Sequence, residues 1–301
     1  MKWLQRSTVQ EAIAGYVFLL PNFLGFMLFT SIPVLASLAL SFMEWDLLSA
    51  PKFVGLNNFT SLFQDSLFLK YCWNTVYMML GIPLGMAGSL ILAIFMNQKL
   101  KGIIVYRTVY FLPTLCSGVA IFMLWRLMYN PEFGVFNSMI SSFGKTIGVP
   151  MQGPSWLTDE AWAKPALILM GVWQAIGGYN MILYLAALQG VPRDLYDAAE
   201  VDGANSWQKF WAVTWPQISP TTFFIAIMSV IGGFQGGFDS AYIMTGGGPN
   251  GSTTTIIYYL FNNAFQWHQM GYAAAIAWVL FIIVFIFTVI QWKYYGKNVH
   301  Y

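Results

Sequence analysis

The chain has 301 residues, of which 57% are hydrophobic and 9% are charged, and its formal net charge at pH 7 is +2. Soluble domains are about 25% charged, so this composition excludes a soluble globular protein and indicates an integral membrane protein. The small net charge also gives no indication of nucleic acid as a partner.

Apolar runs long enough to cross a bilayer, which takes roughly 20 residues each, occur six times in the chain. We therefore expect an all-α membrane protein whose six transmembrane helices form a single domain over residues 1–301. The predicted spans are residues 13–42, 72–96, 105–129, 165–188, 221–245 and 272–292.

The first apolar run follows Lys2 and Arg6, as the core of a secretory signal peptide would. The run is longer than the roughly 7–15 residues of such a core, and Pro21 and Pro33 interrupt it. We therefore favour a retained helix, kinked at the two prolines, over a cleaved leader.

The distribution of lysine and arginine predicts the orientation in the membrane. With the amino terminus in the cytoplasm, nine of these residues fall on the cytoplasmic side and five fall outside, which agrees with the positive-inside rule. Residues 236–270 contain neither type, as expected for an outside loop. Both termini and the loop 190–220 are therefore expected in the cytoplasm.

The loop 190–220 is polar and helix-prone, although apolar runs flank it on both sides. Pro192 suits the first turn of a helix, and Asp194 would lie near the positive end of that helix's dipole. Gly203 can take the left-handed conformation that ends a helix. The first part of the loop is therefore predicted to be a short helix that stops at Gly203.

A second helix is expected to follow, with Asn205 or Ser206 as its cap. Pro216 and Pro220 are expected to prevent this helix from running straight into the next apolar segment. The loop is thus predicted to form a helix, an elbow and a helix, which is suited to docking a partner outside the membrane.

Polar and aromatic side chains gather in the fourth and fifth predicted spans. Aromatic faces beside amides suit a sugar, whose C–H faces stack and whose hydroxyls need donors and acceptors. The same residue types are also common at membrane interfaces and helix contacts. The candidate substrate path comprises Trp173, Gln174, Tyr179, Asn180, Phe234, Gln235 and Asp239.

Charged side chains that approach membrane depth are scarce. Arg126 and Asp239 do so, both near the outer ends of their spans. This scarcity weighs against a proton-coupled transporter and against a strongly anionic substrate. Gly232-Gly233 and Gly236-Gly237 permit either close helix packing or a local break in the fifth span.

Residues for catalysis or metal binding are not apparent. Cys72 and Cys116 lack CxxC spacing and are interpreted as buried small residues, and His268 and His300 are isolated. The chain has no GxxxxGK[ST] phosphate loop, so ATP and its Mg²⁺ would bind to another subunit. An enzyme acting on a lipid-linked sugar would need a paired acid and base or metal-binding carboxylates.

Three segments of the loop 190–220 resemble the EAA loop of permeases in ABC importers. They are Asp197-Ala198-Ala199, Asp202-Gly203-Ala204 and Trp215-Pro216. Asp197 stands where the family usually has glutamate, which keeps the charge and shortens the side chain by one methylene. The resemblance implies that Asp197, Ala198, Ala199, Asp202, Gly203, Ala204 and Pro216 belong to a cytoplasmic coupling helix seated on an ATPase subunit.

Further motifs resemble the sugar-importer permeases of the maltose, lactose and glycerol-3-phosphate type, and the first of their two unlike permease subunits. The resemblance covers about residues 12–295. The motifs are PSWL at residues 154–157, MTGGGP at 244–249, STTT at 252–255, Tyr258, AF at 264–265 and GYAAA at 271–275.

The resemblance implies a type I ABC importer permease fold, embedded in the lipid of the bacterial inner membrane. The implied partners are a second, unlike permease subunit, two cytoplasmic ATPase subunits that bind ATP and Mg²⁺, and an extracytoplasmic solute-binding protein. By its distance from Asp197, Tyr179 falls on a sugar-contacting tyrosine of the maltose transporter. The match in the fifth span is poorer, because this chain has glycines where that transporter has amides.

The activity implied by the resemblance is ATP-driven uptake of a carbohydrate, with a di- or oligosaccharide as the first expectation. Glycerol-3-phosphate or an acidic oligosaccharide is the alternative within the family. A membrane-embedded glycosyl transferase, or a receptor-like subunit that transports nothing, is a more distant alternative.

Overall fold

The computed structural model describes residues 2–98 and 101–295. Predictions that involve Lys99, Lys297 and His300 lie outside these residues. Helices make up most of the described chain, and its strands are only two residues long. The all-α fold class is therefore confirmed.

The secondary structure of the described chain consists of helices, four wide helical turns and one short hairpin. In the described chain, wide π-helical turns lie at Met27–Ser31, Phe210–Thr214, Ala241–Thr245 and Asn262–Gln266, and strands β1 (Met43–Glu44) and β2 (Lys52–Phe53) form a hairpin. The helices are α1 (Lys2–Phe26), α2 (Ile32–Ser41), α3 (Asn57–Gln64), α4 (Ser66–Met78), α5 (Gly81–Met96), α6 (Ile103–Leu115), α7 (Gly118–Met128), α8 (Val135–Thr146), α9 (Glu160–Ile176), α10 (Tyr179–Gly190), α11 (Arg193–Val201), α12 (Ser206–Lys209), α13 (Trp215–Gln235), α14 (Phe238–Ser240), α15 (Ile256–Phe261) and α16 (Met270–Tyr295).

Helices long and apolar enough to cross a membrane number five in the described chain, or six if α6 and α7 are counted together. Helices α6 and α7 meet at an angle of 98°, because the backbone is extended at Cys116 and Ser117, with ψ of 152° and 131°. The other five are Val9–Ser41, Ser66–Met96, Glu160–Gly190, Ser206–Gln235 and Met270–Lys293.

The chain forms two compact units. The smaller unit contains the residues up to Gln64 together with Leu260–Val279, and the larger contains Asp65–Tyr259 with the residues from Leu280 onward. The assignment of residues 1–301 to one transmembrane domain stays a prediction.

In the smaller unit, the first span is helical from Val9 to Ser41 and passes through both of its prolines. Pro21 lies inside α1, and Pro33 lies in the first turn of α2, directly after the wide turn Met27–Ser31. A wider turn displaces the carbonyl that a proline ring would otherwise strike. The helix can therefore accommodate Pro33 without a loop.

The hairpin after α2 has a turn that Asp46 stabilises. Its Oδ1 accepts hydrogen bonds from the backbone N–H groups of Ser49, at 2.7 Å, and Leu48, at 3.0 Å. These bonds, that from Ser49 above all, favour the ionised carboxylate and lower the pKa of Asp46 to about 2.

The same hairpin contacts the start of α16. The backbone N–H of Met270 donates to the carbonyl oxygen of Trp45 at 3.0 Å. A Cβ atom on Gly271 would overlap the carbonyl oxygen of Met43. The glycine of the GYAAA motif is therefore required for close approach of the hairpin.

The larger unit is built on close packing of α5 against α9. A Cβ atom on Gly85 would lie 2.8 Å from the Cβ of Ala175, and one on Gly88 would lie 2.5 Å from Cγ1 of Ile176. Small residues at such contacts are typical of helices in membranes. The adjoining buried cluster comprises Leu90, Leu92, Ala93, Met96, Met181, Tyr184, Leu185, Leu188, Val191, Ile218 and Ile225.

Residues 130–164 of the same unit are held by Asn137 and a group of aromatic rings. Trp156 Nε1 donates to Asn137 Oδ1 at 2.7 Å, and Asn137 Nδ2 donates to the carbonyl oxygens of Pro131 and Pro154 at 3.1 and 3.2 Å. The rings of Trp125, Tyr129, Phe136 and Trp156 pack with centroids 5.2–6.0 Å apart. The tryptophan of the PSWL motif thus has a structural role.

Candidate coupling elbow and transport cavity

The elbow, residues 193–216, starts with the predicted short helix. Asp194 lies in the first turn of α11. The helix ends with two backbone hydrogen bonds, from Gly203 N to Glu200 O at 3.0 Å and from Ala204 N to Ala199 O at 2.9 Å. These are the bonds of a Schellman motif, and Gly203 has a φ of +79°. The predicted left-handed glycine is confirmed.

The second half of the elbow starts at Asn205. Its Oδ1 accepts from the backbone N–H of Gln208 at 2.9 Å, and Gln208 Oε1 accepts from the backbone N–H of Asn205 at 2.8 Å. This reciprocal capping box begins α12 directly after α11 has ended. The change of direction between the helices is therefore determined by residues within the elbow.

The prediction that Pro216 and Pro220 separate this second helix from the fifth span is wrong. The helical segment Ser206–Gln235 is continuous. The wide turn Phe210–Thr214 precedes Pro216, and it displaces the carbonyl four residues before the proline. Pro220 leaves the carbonyl of Pro216 without its usual donor, and the Ser219 hydroxyl donates to that oxygen at 2.8 Å.

Contacts across the elbow join its two helices. Lys209 Nζ lies 3.0 Å from Glu200 Oε2, and the hydroxyl oxygens of Tyr196 and Thr214 are 2.9 Å apart. Thr214 is buried. Among the predicted coupling residues, Ala199, Ala204 and Pro216 are half-buried, whereas Asp197, Ala198, Asp202 and Gly203 are exposed.

Aromatic side chains at the base of the elbow form a cluster that the sequence did not lead us to expect. The rings of Trp207, Phe210, Trp211 and Trp215 contact one another, with centroids 5.1–6.3 Å apart. Their spacing of three, four and eight residues is the signal that places them on one helical face. Trp207 and Trp211 remain exposed, as is typical of side chains at a membrane interface.

A cavity of about 380 Å³ lies in the larger unit, at the other end of the segment Ser206–Gln235. We call it the glycine cavity, because Gly232, Gly233, Gly236 and Gly237 all line it. Among the described residues, no aspartate, glutamate, lysine or arginine lines it. Its polar lining comes from Thr75, Gln174, Asn180, Ser229, Ser240 and Thr255.

The two glycine pairs have different roles in the structure. A Cβ atom on Gly233 would lie 2.9 Å from Met79 Cγ, so this position permits close packing. Helix α13 ends at Gln235, and Gly237 has a φ of +82°. The sequence left packing and a helix break as alternatives, and both occur. The fifth predicted span, residues 221–245, is consequently interrupted at Gly236.

The seven candidate path residues do not all meet at the glycine cavity. Gln174 and Asn180 line it. Tyr179 is 65% exposed and contacts the edge of Phe111, with ring centroids 5.7 Å apart. Trp173 is exposed and contacts Trp125.

The path residues from the fifth span also differ from one another. Phe234 is only 1% exposed and packs against Phe287, with ring centroids 5.3 Å apart. Gln235 and Asp239 are exposed. The lining residues that sequence reasoning missed are the hydroxyls of Thr75, Ser229, Ser240 and Thr255, small polar residues within or beside apolar runs.

The threonine loop, residues 244–256, contains the TGGGP and STTT motifs and contributes Thr255 to the lining of the glycine cavity. Ser252, Thr253, Thr254 and Thr255 are all at most 5% exposed. Asn74 Nδ2 donates to the carbonyl oxygens of Gly251, at 2.9 Å, and Thr254, at 3.0 Å. Contacts with α4 therefore hold the loop.

A third hydrogen bond between α4 and the threonine loop involves Thr75, which also lines the glycine cavity. Thr75 Oγ1 accepts from the backbone N–H of Ile256 at 3.0 Å. Within the loop, the hydroxyls of Thr253 and Thr254 donate to the carbonyl oxygens of Gly248 and Gly247 at 2.9 and 3.1 Å. The buried hydroxyls of Thr253 and Thr254 are thus paired, as burial requires, whereas the buried hydroxyl of Ser252 has no partner among the described residues.

Comparison with known proteins agrees with this architecture. Residues 81–294 match the family described as binding-protein-dependent transport system inner membrane component. The chain is 38% identical over 304 residues to the probable ABC transporter permease protein YesP of Bacillus subtilis (strain 168), with 98% of this chain and 94% of that protein covered. It is 36% identical over 284 residues to the lactose transport system permease protein LacF of Rhizobium radiobacter, with 93% of each covered.

A solved structure shows the same fold. It is the crystal structure of a bacterial ABC transporter involved in the import of the acidic polysaccharide alginate, and a chain in it superposes with a TM-score of 0.83 at 23% identity. The match covers 97% of this chain and 98% of that chain.

The fold and these relatives define a multi-pass membrane permease of an ABC importer, with the expected type I architecture. The chain belongs to the family of binding-protein-dependent transport system inner membrane components.

Proposed function

We propose that this chain conducts a carbohydrate, namely a di- or oligosaccharide, inward across the bacterial inner membrane. The observation that carries the proposal is the lining of the glycine cavity, where the amides of Gln174 and Asn180 lie among hydroxyl groups and no described charged residue. Amides and hydroxyls can pair with the hydroxyl groups of a sugar. The volume of about 380 Å³ falls within the range of roughly 300–1,000 Å³ typical of small-molecule sites.

The name of LacF, a lactose transport permease, also supports a carbohydrate as the substrate. The permease would not itself be an enzyme, and a separate ATPase subunit would bind ATP and Mg²⁺. Glycerol-3-phosphate and acidic oligosaccharides are the alternatives within the family.

The elbow is proposed as the coupling helix that docks on an ATPase subunit. Its exposed end carries Asp197, Ala198, Asp202 and Gly203. The small side chains would permit close approach of the ATPase. The carboxylates of Asp197 and Asp202 would bind to basic groups of the ATPase subunit.

Movement of the elbow would reach the cavity through one continuous helical segment. Ser206–Gln235 has 30 residues and therefore spans about 45 Å at 1.5 Å per residue. One end carries the capping box of the elbow, and the other ends at Gly236 and Gly237 in the cavity wall. A displacement of the docked elbow would thus shift the glycines that line the path.

The proposed transporter contains further subunits. We propose a second, unlike permease, two ATPase subunits and an extracytoplasmic solute-binding protein as partners, with both termini in the cytoplasm. The exposed side chains of Trp173, Tyr179, Gln235 and Asp239 would face a path that the second permease completes. Phe234 would reach that path only if its packing changed during transport.

The proposal is tested by isolating the chain from detergent-solubilised membranes and identifying the proteins that accompany it. The complex is then reconstituted in liposomes with the binding protein, and ATP hydrolysis and sugar uptake are measured together. We expect a second permease and an ATPase to be recovered, with hydrolysis stimulated by a sugar-loaded binding protein. Turnover of a lipid-linked sugar by the isolated chain would contradict the proposal.

The contribution of the cavity is tested with Gln174→Ala and Asn180→Ala. Removal of either amide is expected to raise the KM for uptake without affecting assembly. Gln152→Ala is the matched control, because Gln152 is exposed and does not line the cavity. Equal kinetics in all three variants would contradict a role for the glycine cavity in the sugar path.

A further inference from the structure

A second cavity in the larger unit has no role in the function proposed so far. Its volume is about 510 Å³, and Arg126, Tyr129, Asn130, Thr158, Tyr242 and Thr245 are among its lining residues. We call it the arginine cavity. In the predicted orientation it lies toward the outer side of the membrane, because Arg126 is in the last turn of α7, at the outer end of the third span.

Arg126 carries a charge that its surroundings compensate only weakly. Its side chain is exposed, and Nη1 donates to the carbonyl oxygen of Ile243 at 3.3 Å. The described residues form one ion pair, between Lys209 and Glu200. No described carboxylate therefore lies within 4.0 Å of the Arg126 guanidinium. A guanidinium has five N–H donors in a fork that fits a carboxylate or a phosphate.

An aromatic wall stands beside this cation. Tyr242 is 52% exposed and lines the cavity. Its ring stacks on Phe238, with centroids 5.5 Å apart and planes inclined by 8°, and it is nearly perpendicular to the ring of Tyr258, with centroids 6.0 Å apart. Phe238 and Tyr258 thus fix the orientation of the ring, and a sugar can stack on the part of an aromatic ring that remains exposed.

At two places in the chain, a residue that lines the arginine cavity is close in sequence to a residue that lines the glycine cavity. Phe122 lines the glycine cavity one helical turn before Arg126, and Ser240 lines it two residues before Tyr242. A solute could therefore contact first the charged cavity and then the uncharged one. The absence of described cations from the glycine cavity would let an anionic solute leave that cavity readily, as conduction requires.

We propose that Arg126 binds the anionic group of a carbohydrate before the solute enters the glycine cavity. The group would be a uronate carboxylate or a phosphate, since both match the guanidinium fork. This inference rests on the proposed function and narrows it to carbohydrates that carry a negative charge. Recognition would combine the Arg126 guanidinium with stacking on Tyr242.

The test uses the complete transporter, with its partners and binding protein, reconstituted in liposomes. Uptake is measured for trigalacturonate and its carboxyl-reduced counterpart, and for glucose 6-phosphate and glucose. Arg126→Gln is expected to raise the KM for the anionic member of one pair by about 10- to 100-fold, which is the usual effect of losing a charged hydrogen bond. The KM for the neutral member of that pair is expected to stay unchanged. The pair that responds distinguishes a carboxylate from a phosphate.

Two further variants separate recognition from structure. Arg126→Lys keeps the charge without the fork and is expected to be intermediate. Lys145→Gln removes another exposed cation, which does not line the cavity, and is expected to behave as the unmodified transporter does. Failure of both Arg126 variants to assemble would show a structural role and overturn the inference.

Other results would also overturn it. Uptake of neutral sugars alone by the unmodified transporter would refute the anionic substrate while leaving the proposed function intact. An equal change in KM for both members of each pair, or no change for either, would exclude charge recognition by Arg126. If the Arg126 variants needed more binding protein for uptake of every solute alike, Arg126 would be assigned to the contact with the binding protein. If no carbohydrate were imported, the proposed function and this inference would fail together.

Discussion

The elbow and the threonine loop are both turns that carry a sequence motif, yet they are held in different ways. In the elbow, Gly203, Asn205 and Gln208 form hydrogen bonds with partners within five residues. The threonine loop also has local hydrogen bonds, but the bonds that fix it to α4 involve Asn74 and Thr75, about 180 residues away in the chain. The first turn is determined locally, and the second depends on packing against α4.

This difference fits the proposed functions of the two segments. A docking elbow must keep its shape while its surface is exposed to a partner, so local bonds suit it. A cavity wall must keep its position relative to other helices, so long-range bonds suit the threonine loop. Substitutions in the two segments should consequently have different effects.

Asn74→Leu is expected to destabilise the protein most. It removes both donors to Gly251 and Thr254, and leaving buried carbonyls unpaired costs about 2–4 kcal/mol in total. Thermal unfolding in detergent measures the loss, and hydrogen exchange at residues 250–256 locates it. The exposed Gln152→Leu is the control, and equal stability of the two variants would show that Asn74 does not hold the loop.

Gly203→Val should destabilise the native conformation of the elbow by about 1–2 kcal/mol, because a β-branched residue disfavours the left-handed backbone conformation. No atom lies within 4 Å of an added Cβ at this position, so the effect is conformational and not steric. We expect loss of coupled uptake and ATP hydrolysis, with normal insertion in the membrane. Gly203→Asn should retain activity, since asparagine tolerates this conformation; equal loss in both variants would contradict the explanation.

Asn205→Ala removes one half of the capping box and is expected to cost about 1 kcal/mol. Faster hydrogen exchange at the first amides of α12 would report the loss, while exchange in the threonine loop should not change. Asn205→Asp should restore protection, because aspartate is also a good cap. Faster exchange in both segments would show that the elbow and the threonine loop are not independent.

Lys209→Met should have the smallest effect. Its ion pair with Glu200 is at the surface, where such pairs contribute at most about 1 kcal/mol and are screened by salt. Unfolding at low and high ionic strength should show a small difference that disappears in salt. A large loss of stability that salt does not alter would mean that the methylenes of Lys209 matter more than its charge.

Prediction from the sequence succeeded for the elbow and failed at its junction with the fifth span. The ends of α11 and α12 depend on glycine and asparagine, whose preferences act within one turn of helix. Pro216 also has a local preference, but a widened turn and the Ser219 hydroxyl compensate for it. A proline therefore predicts a helix end less reliably in a membrane segment, where such compensation is common.

The lining of the glycine cavity was predicted only in part from the sequence. Gln174 and Asn180 were expected to contribute, and they do line it. Phe234 belongs to the same aromatic pattern but is buried against Phe287. The alternation of exposed and buried aromatics depends on which helix is adjacent, and the sequence of a single span does not contain that information.

The sequence by itself determined the membrane class, the family resemblance and the local geometry of the elbow, because composition and helix-end preferences act over short distances. Only the tertiary structure decided that Thr75 and Thr255 share a cavity with Gln174, that the fifth span breaks at Gly236, and that Arg126 faces a second cavity. Each of these depends on contacts between residues far apart in the chain. Side chains that meet in space, and not those that are neighbours in sequence, form both cavities.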